Sequence, residues 1–270
     1  MIDLSRTSNP KILAIANQKG GVGKTTTTIN LGAALAEAGK RVLLVDLDPQ
    51  GNASTGLGVG YDQRDTTAYE LIVGDATPAE AILATAVPRL WIVPATTDLS
   101  SADIELIANE KRSFLLRDAL RQTGIDGYEF DYILIDCPPS LNILTVNAMV
   151  SADGVVVPLQ SEFFALEGLS QLMLTIREIR ETANPALRIE GIVLTMYDRR
   201  NNLSQQVEAD ARENLGDLVF KTMIPRNVRL SEAPSFAAPV LTYDPTSKGS
   251  IAYRSLAAEL ISNDTQRKAG

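Results

Sequence analysis

The sequence predicts an α/β protein in which helices flank both faces of a mostly parallel, twisted sheet. Apolar, β-branched runs recur along the chain, and helix-like stretches separate them. These runs are continuously apolar rather than alternating, which indicates strands that are buried on both faces. A glycine-rich loop also lies between the first such run and the first helix-like stretch, at residues 18–25. In open sheets of this class, ligands bind beyond the carboxyl ends of the strands.

The predicted elements follow in order along the chain. The first apolar run, residues 12–17, predicts a buried strand, and the stretch 25–38 behind the loop predicts a helix. Further strands are predicted at residues 41–46, 90–94, 132–136, 154–159, 189–196 and 218–224. Further helices are predicted at residues 102–122, 142–151, 167–182, 203–215 and 250–262. We expect one domain at residues 11–262, between a short arm at 1–10 and a polar tail at 263–270.

Composition and charge exclude several functional classes. The 270 residues are 45% hydrophobic and 21% charged, as in a globular protein with a sizeable core. One cysteine and no histidine exclude an internal disulfide framework, zinc ribbons and histidine-based triads or metal sites. The net charge of −8 still allows a local basic patch. No apolar run is long enough to span a bilayer and no secretory segment precedes Lys11, so we expect a cytoplasmic protein.

The loop at residues 18–25 predicts a phosphate-binding site. Its glycines let backbone N–H groups turn inward around an anion, and the helix start adds N–H donors and a positive dipole. Lys24 can reach the terminal phosphates of a nucleotide, and the Thr25 hydroxyl can ligate Mg²⁺. A strand, a glycine-rich loop, Lys-Thr and a helix form the context that supports this assignment. The predicted nucleotide-binding residues here are Lys19, Gly20, Gly21, Val22, Gly23, Lys24, Thr25 and Thr26.

Two departures from the general loop pattern point to a family. Gln18 stands where the strict pattern has glycine, and a second lysine, Lys19, precedes the glycine pair. This deviant Walker A sequence resembles that of the ParA/MinD family of dimeric ATPases, which also includes the nitrogenase iron protein. The resemblance implies a P-loop NTPase fold, ATP and Mg²⁺ as cofactors, and a Lys19 that reaches across a dimer interface to the partner's nucleotide. Outside this family, Lys19 would be an ordinary solvated lysine.

Carboxylates at the ends of two predicted strands are candidates for Mg²⁺ binding or for orienting the attacking water. Asp136 follows a buried strand and matches the Walker B aspartate of P-loop ATPases. Asp48 matches the aspartate that ParA-like proteins place in their first switch. Asp46 shares a strand face with Asp48, and we expect it to fix the loop by hydrogen bonds. The resemblance implies Lys19, Lys24, Asp48 and Asp136 as catalytic residues, and Thr25, Asp48 and Asp136 as metal ligands.

Other parts of the chain narrow the resemblance to the ParA/Soj type. An iron protein of the nitrogenase kind needs two cysteine ligands from each subunit, and this chain has only Cys137, which we expect to be buried in the core. The polar tail lacks the apolar face of a MinD-type membrane-targeting helix. Segments 52–58, 224–235 and 243–245 also match the ParA/Soj pattern, with Phe236 where the family usually has histidine.

The same resemblance implies contacts to adenine and to DNA. The strand that ends near Asp198 lacks the lysine of a guanine-specific loop, and Pro225 and Asn227 correspond to an adenine-contacting loop, which favours ATP over GTP. The predicted DNA-binding residues are Arg199, Arg200, Arg226 and Arg229. Arg200 and Arg229 match the DNA-contacting positions of the family best. Arginines without interleaved aromatic residues suit phosphate contact, although on sequence alone they could equally be solvated charges.

The sequence therefore predicts a partition ATPase of the ParA type. The resemblance implies that ATP bridges two subunits into a homodimer that binds DNA nonspecifically at the nucleoid. A ParB-type centromere-binding partner would stimulate hydrolysis and release the dimer, and no membrane partner is expected. Dimerisation doubles the basic patch, which would make DNA binding depend on ATP. Two alternatives stay open: an ATP-driven scaffold for cargo other than DNA, and a small-molecule ligase or kinase of the same fold.

Overall fold

The computed structural model describes residues 9–121, 125, 127–162 and 165–269, and a seven-stranded sheet forms its centre. The strands are β1 (Lys11–Ile15), β2 (Val42–Asp46), β3 (Leu83–Ala84), β4 (Leu90–Val93), β5 (Tyr132–Asp136), β6 (Gly154–Gln160) and β7 (Arg188–Thr195). Their order across the sheet is β3-β4-β2-β5-β1-β6-β7. Only the short edge strand β3 pairs antiparallel, with β4; the other described pairs are parallel.

Helices cover both faces of this sheet, which confirms the predicted fold class. The helices are α1 (Lys24–Glu37), α2 (Asn52–Gly56), α3 (Ala68–Val73), α4 (Pro78–Ala81), α5 (Ala102–Glu105), α6 (Leu115–Leu120), α7 (Ile143–Ser151), α8 (Ala165–Thr182), α9 (Asn202–Leu215), α10 (Val228–Glu232), α11 (Val240–Tyr243) and α12 (Lys248–Ala269).

Alternate residues of β1, an interior strand of the sheet, lie in two separate apolar layers. Ile12 and Ala14 of β1 pack into the layer that contains residues of α3, α6, α7 and α8. Leu13 and Ile15 pack into the opposite layer, together with residues of α1 and α12. β1 is apolar at every position after Lys11 and is therefore buried on both faces, as the continuous sequence pattern predicted.

The predicted helix at 102–122 is wrong in its middle. The chain forms only the short helices α5 and α6 there, joined by turns. The Asn109 side chain accepts a hydrogen bond from the Lys111 backbone N–H at 2.8 Å, which is a local alternative to the helical bond. The predicted end of this helix at residue 122 lies outside the described residues.

The predicted strand at 218–224 is also wrong. Among the described backbone hydrogen bonds, the segment is joined to β7 by two: Phe220 N donates to Ile192 O at 2.9 Å and Ile224 N donates to Leu194 O at 2.8 Å. Between these points, the N–H groups of Lys221 and Thr222 donate instead to the Glu259 carboxylate of α12, at 2.7 and 2.9 Å. A side chain from another element has thus replaced the strand ladder.

The prediction for the carboxyl-terminal tail can be compared with the structure, whereas most of the predicted amino-terminal arm cannot. The predicted arm at 1–10 lies outside the described residues except for Asn9 and Pro10. The last helix, α12, runs to Ala269, so most of the polar tail at 263–270 extends the helix that was predicted to end at residue 262. No helix in the described part of the chain is long and apolar enough to cross a membrane.

Candidate nucleotide-binding site

The glycine-rich loop joins β1 to α1 and is shaped by two left-handed residues. Gly21 has a φ of 74° and Gly23, the N-cap of α1, has a φ of 89°, a region that favours glycine. The space above the loop is open: a Cβ placed on Gly20 or Gly21 would meet no heavy atom within 4 Å. The backbone of the loop and the N-terminus of a long helix are thus accessible from outside the protein, as an anion site requires.

Side chains outside the loop hold it in place, and the sequence reasoning missed them. Asn17 Oδ1 accepts from Lys19 N at 3.0 Å, while its Nδ2 donates to Pro158 O at 2.7 Å. Thr195, the last residue of β7, donates its hydroxyl proton to Val22 O at 2.9 Å. Both lie at carboxyl ends of strands, so the rule that pointed to Asp48 and Asp136 would also have found them.

Lys24 is the first residue of α1 and its side chain lies under the loop. Its Nζ donates to Lys19 O at 3.0 Å, and the residue is only 7% exposed. Burial lowers the pKa of the Lys24 ammonium, whereas the negative charge of Asp136 opposes this change. The ammonium therefore stands in a confined site next to carboxylates, within the loop that it was predicted to serve.

Asp136, the last residue of β5, is the second charged residue of the site. It pairs in register with Asp46 of β2, so the two predicted strand ends meet side by side. Both carboxylates are fully buried, and burial together with their mutual repulsion raises the pKa of Asp136. Thr28 donates its hydroxyl proton to Asp136 Oδ1 at 2.9 Å, whereas Asp136 Oδ2 has no hydrogen-bond partner among the described residues.

The unpartnered Oδ2 of Asp136 allows the fit of Mg²⁺ to this site to be judged. A buried acceptor without a donor is unfavourable, and a hydrated cation would satisfy it. The Thr25 hydroxyl lies close enough to Asp136 to lower its pKa, so two oxygen donors of the predicted metal set converge. Mg²⁺ prefers oxygen ligands and retains several waters, so this donor set fits the ion.

Asp46 fixes the loop after β2 by hydrogen bonds, as expected from the sequence. Its Oδ2 accepts from the backbone N and the hydroxyl of Ser54, at 2.9 and 2.7 Å, and its Oδ1 accepts from Asp48 N at 3.3 Å. Asp48 itself is 9% exposed, and its Oδ1 accepts from Gln50 N at 3.0 Å. The negative charge of Asp48 also acts to raise the pKa of the Lys24 ammonium, so Asp48 lies near the glycine-rich loop.

Lys19 has a partner in its own chain that the sequence did not reveal. Its Nζ forms an ion pair with Glu162 Oε2 at 3.0 Å, and the two side chains are 40% and 45% exposed. Gln160, the last residue of β6, donates its side-chain amide to the other oxygen of Glu162. The sequence did contain a signal for Glu162, because it is a polar residue just after β6 and ligand sites in such sheets lie beyond the carboxyl ends of the strands.

A cavity of about 470 Å³ lies beside the loop and brings the predicted base-binding residues together. Gly23 lines it from the loop and Thr26 from the first turn of α1. Met196, Pro225, Asn227 and Leu230 line it from the region after β7. The Asn227 side chain caps α10 by accepting from Arg229 N at 2.9 Å, which fixes this wall. The cavity is mostly apolar and adjoins the phosphate loop, as a purine site requires.

The predicted DNA-binding arginines divide into two groups. Arg199, Arg200 and Arg226 line a surface cleft of about 770 Å³ with Lys221 and Lys248, and we call these five residues the basic cleft. Lys248 was not anticipated. Arg229 does not line this cleft; it forms ion pairs with Glu232 at 2.8 Å and Asp244 at 3.3 Å.

Arg200 is also paired within the chain. Its Nε and Nη2 donate to the two carboxylate oxygens of Asp198 at 3.1 and 3.0 Å, which lowers the pKa of Asp198 to about 2. The Arg200 side chain is 90% exposed, so a phosphate could still reach it. Both arginines that match the family best therefore carry carboxylate partners with which DNA would compete.

Comparisons with known proteins agree with this geometry. The family model of the AAA domain matches residues 10–189. The chromosome partitioning protein ParA of Caulobacter vibrioides is 59% identical over 97% of this chain and 98% of its own length. The sporulation initiation inhibitor protein Soj of Bacillus subtilis is 51% identical over 94% of this chain and 99% of its own.

Solved structures with the same fold hold magnesium and nucleotide. A cobyrinic acid a,c-diamide synthase of Mycobacterium smegmatis, with bound ADP and magnesium, has a TM-score of 0.81 and 39% identity, and covers 94% of each chain. The septum site-determining protein MinD of Pyrococcus horikoshii, complexed with Mg-ADP, has a TM-score of 0.76 and 28% identity, over 93% of this chain and 96% of that one.

Proposed function

Because the chain belongs to the ParA/Soj family of chromosome-partitioning ATPases, we propose that it is a DNA-partitioning ATPase whose ATP-bound dimer holds DNA nonspecifically. The ATPase activity and the use of ATP with Mg²⁺ follow from the family. The observation that supports the site most directly is the convergence of Lys24, Asp136 and the two left-handed glycines at the start of α1.

We assign a role to each residue around the phosphates. Lys24 neutralises charge on the terminal phosphates, and backbone N–H groups of residues 20–25 bind their oxygens. Thr25 and Asp136 would hold Mg²⁺, which would offset the charge that develops during phosphoryl transfer. Asp48 orients the attacking water, and Asp46 with Ser54 keeps the Asp48 loop in place. Catalysis is then mainly electrostatic and positional.

Lys19 would act in the dimer. Its exposed ion pair with Glu162 is of a kind that contributes only about 0–1 kcal/mol, so exchange of the carboxylate for a partner's phosphate costs little. A lysine that reaches the nucleotide of the other subunit makes dimerisation depend on ATP. The dimer itself is inferred from the family, and the weak pair with Glu162 leaves Lys19 available to it.

The basic cleft and Arg229 would bind DNA phosphates. One such patch on a chain of net charge −8 binds weakly, and two patches on one dimer give avidity. ATP would thereby control DNA binding, and a ParB-type partner that stimulates hydrolysis would release the dimer. Association with the nucleoid is the location that this cycle implies.

A small-molecule ligase is the second candidate. The Mycobacterium smegmatis protein of 39% identity is described as a cobyrinic acid a,c-diamide synthase, which favours it. The partition proteins are more similar, at up to 59% identity over nearly the whole chain, and they outweigh it. A scaffold for other cargo would keep the ATP switch but not the basic cleft.

Retention on DNA with and without nucleotide separates the three functions. We expect the wild-type chain to stay on immobilised DNA of unrelated sequences with ATP, and to elute with ADP or without nucleotide. Lys24→Ala, matched against the wild type in the same buffer, should elute under all conditions. Absence of ATP-dependent retention would exclude the partition function, and ATP turnover that requires added cobyrinic acid would establish the ligase.

A further inference from the structure

A buried arginine supports the loop that carries Asp48, and the function proposed above gives it no role. Arg64 is only 5% exposed. In the part of the chain that the structure describes, no carboxylate lies within ion-pairing distance of its guanidinium. Removing a charge from water without a counter-charge is costly, so arginines are rarely buried in this way. Its retention here calls for contacts that only a guanidinium makes.

Those contacts connect three separate segments. Arg64 Nη2 donates to Val59 O at 2.7 Å and to the Thr55 hydroxyl at 2.8 Å, and Nη1 donates to Ala95 O at 3.0 Å. The guanidinium also lies 4.4 Å from the ring centroid of Tyr61. One planar fork thus ties together α2, the turn after it and the end of β4.

The same guanidinium lies directly against the turn that follows Asp48. Gly51 has a φ of 62°, and a Cβ built on it would lie 2.5 Å from Arg64 Nη1 and 2.9 Å from Ala95 O. Gly51 N donates to Asp48 O at 2.8 Å, so this turn sets the backbone at Asp48. Ala95 is a shared support, because its N–H donates to Ser54 Oγ at 3.0 Å.

We propose that Arg64 is a positioning residue for ATP hydrolysis, which holds the Asp48 turn in place through Gly51, Thr55 and Ala95. Arg64 lies behind the turn and acts through Asp48 rather than on the nucleotide. The inference rests on the proposed role of Asp48 in orienting water. A loosened turn then slows hydrolysis and leaves ATP binding, which Lys24 and the loop at 18–25 provide, intact.

The first test measures kcat and the Kd for a fluorescent ATP analogue on Arg64→Ala. A displacement of about 1 Å at a reacting group can reduce the rate on the order of 100-fold, so we expect kcat to fall at least about 10-fold. The Kd should stay within about twofold, because the groups that bind phosphate and base are unchanged. Arg64→Lys should resemble Arg64→Ala, since an ammonium cannot make the three divergent contacts. Wild-type kcat in folded Arg64→Ala would overturn the proposal, as would an equal loss in Kd and kcat.

A double-mutant cycle with Asp48→Ala distinguishes positioning from general destabilisation. If Arg64 acts through Asp48, Arg64→Ala should lower kcat no further once Asp48 is gone. Independent, multiplicative losses would refute the proposal. Wild-type kcat in Asp48→Ala would instead refute the role of Asp48 itself, whereas a slow Asp48→Ala beside a normal Arg64→Ala would refute only the inference about Arg64.

Two further variants keep the test decisive. Should Arg64→Ala fail to fold, Arg64→Lys and Thr55→Val carry the comparison, because Thr55 is exposed and its change removes one contact only. Thr55→Val should lower kcat less than Arg64→Lys does, and no change in either would overturn the proposal. Arg41→Lys is the matched control. Arg41 also lies over an aromatic ring, 5.0 Å from the Trp91 centroid, and donates to Tyr128 O at 2.6 Å. Because Arg41 precedes β2 and does not contact the Asp48 turn, this substitution should leave kcat unchanged.

Discussion

The two lysines of the glycine-rich loop have different environments, which predicts different phenotypes. Lys24 is buried beside Asp136, whereas Lys19 is 40% exposed and paired with Glu162. Lys24→Ala should weaken ATP binding by roughly 10- to 100-fold, the scale of removing a charged hydrogen bond of about 1.5–3 kcal/mol. Lys19→Ala, measured by the same titration, should bind ATP normally and fail to dimerise. Unchanged ATP affinity in a folded Lys24→Ala protein would refute its role.

The contact between Lys19 and Glu162 gives a second prediction at the residue scale. Glu162→Gln removes the competitor for the Lys19 ammonium in both subunits of the symmetric dimer. The ATP-bound dimer should therefore form at up to about 30-fold lower protein concentration, the equivalent of up to about 1 kcal/mol for each of the two pairs. Sedimentation at protein concentrations around the midpoint would measure the shift. Glu181→Gln, which breaks the exposed pair with Arg177 on α8, is the control and should not move it. A weaker dimer in Glu162→Gln would instead mean that Glu162 itself serves the interface.

A residue of the site can be predicted from the sequence when a short pattern of neighbouring residues marks it. The loop and the strand-end aspartates have short sequence patterns, so Lys24, Asp48 and Asp136 are recognisable without the structure; their individual roles remain predictions. The strand-end rule could point to Glu162, which follows β6, but not to its pairing with Lys19. Arg64 lies on the turn after α2, and no local pattern marks its contact with Ala95, at the end of β4.

At the scale of elements, the turns and helices after β7 carry the predicted DNA contacts. Arg200→Ala and Arg229→Ala should each weaken binding to every DNA sequence alike. For each phosphate that is no longer neutralised, the slope of log affinity against log salt should flatten by roughly 0.9, and by up to about twice that in a symmetric dimer. ATP-dependent dimerisation should persist in both variants. Wild-type affinity and slope in both would show that these arginines are merely solvated.

The carboxylates that hold these arginines provide the complementary test. Asp198 pairs with Arg200 through two hydrogen bonds on the surface of the basic cleft. Asp198→Asn releases Arg200 and removes a negative charge, so DNA affinity should rise and the salt slope should steepen. Asp217→Asn, which changes the net charge equally on a turn outside the cleft, is the control. Equal effects of the two variants would assign the gain to net charge alone.

Elements were predictable where hydrophobic pattern alone determines them. Six of the predicted strands formed because their apolar runs fit a doubly covered sheet, and β1 is the clearest case. The predicted strand at 218–224 has a similar composition, yet Glu259 of α12 takes its N–H groups. The helix predicted at 102–122 is interrupted because the Asn109 side chain competes with the helical bond. In both cases a polar side chain overrode the pattern.

At the scale of the whole molecule, one buried carboxylate joins the two ends of the chain. Glu190 of β7 is fully buried at its side chain and pairs with Lys11 of β1 at 2.9 Å and with Arg267 of α12 at 2.6 Å. Arg188 lies 3.3 Å from its other oxygen. Three cations thus converge on one carboxylate at the amino-terminal edge of the sheet.

Removal of that carboxylate should destabilise the fold. Glu190→Ala leaves the cations without a common partner. Because Arg188 and Arg267 are about half-exposed and Lys11 keeps Asp264, the loss should be about 1–3 kcal/mol, less than for a fully buried pair. Urea unfolding would measure the change. Glu181→Ala, on the exposed face of α8, is the control and should stay within about 0.5 kcal/mol of wild type. ATP affinity of the remaining folded protein should be unchanged, because Glu190 lies at the opposite edge from the glycine-rich loop. A free energy of unfolding equal to wild type would contradict this role for Glu190.

The ion pair between Lys11 and Asp264, at the amino-terminal ends of the strands, indicates where a fluorescent reporter can be attached. The glycine-rich loop, the base cavity and the basic cleft all follow the carboxyl ends of strands, whereas these two residues lie at the other end of β1. A fluorescent protein fused through either end of the domain would therefore project away from nucleotide and DNA. The same proximity means that a short peptide from the end of α12, which keeps Arg267, could lead back to Lys11, and we expect that the chain could then be circularly permuted and opened at a surface turn.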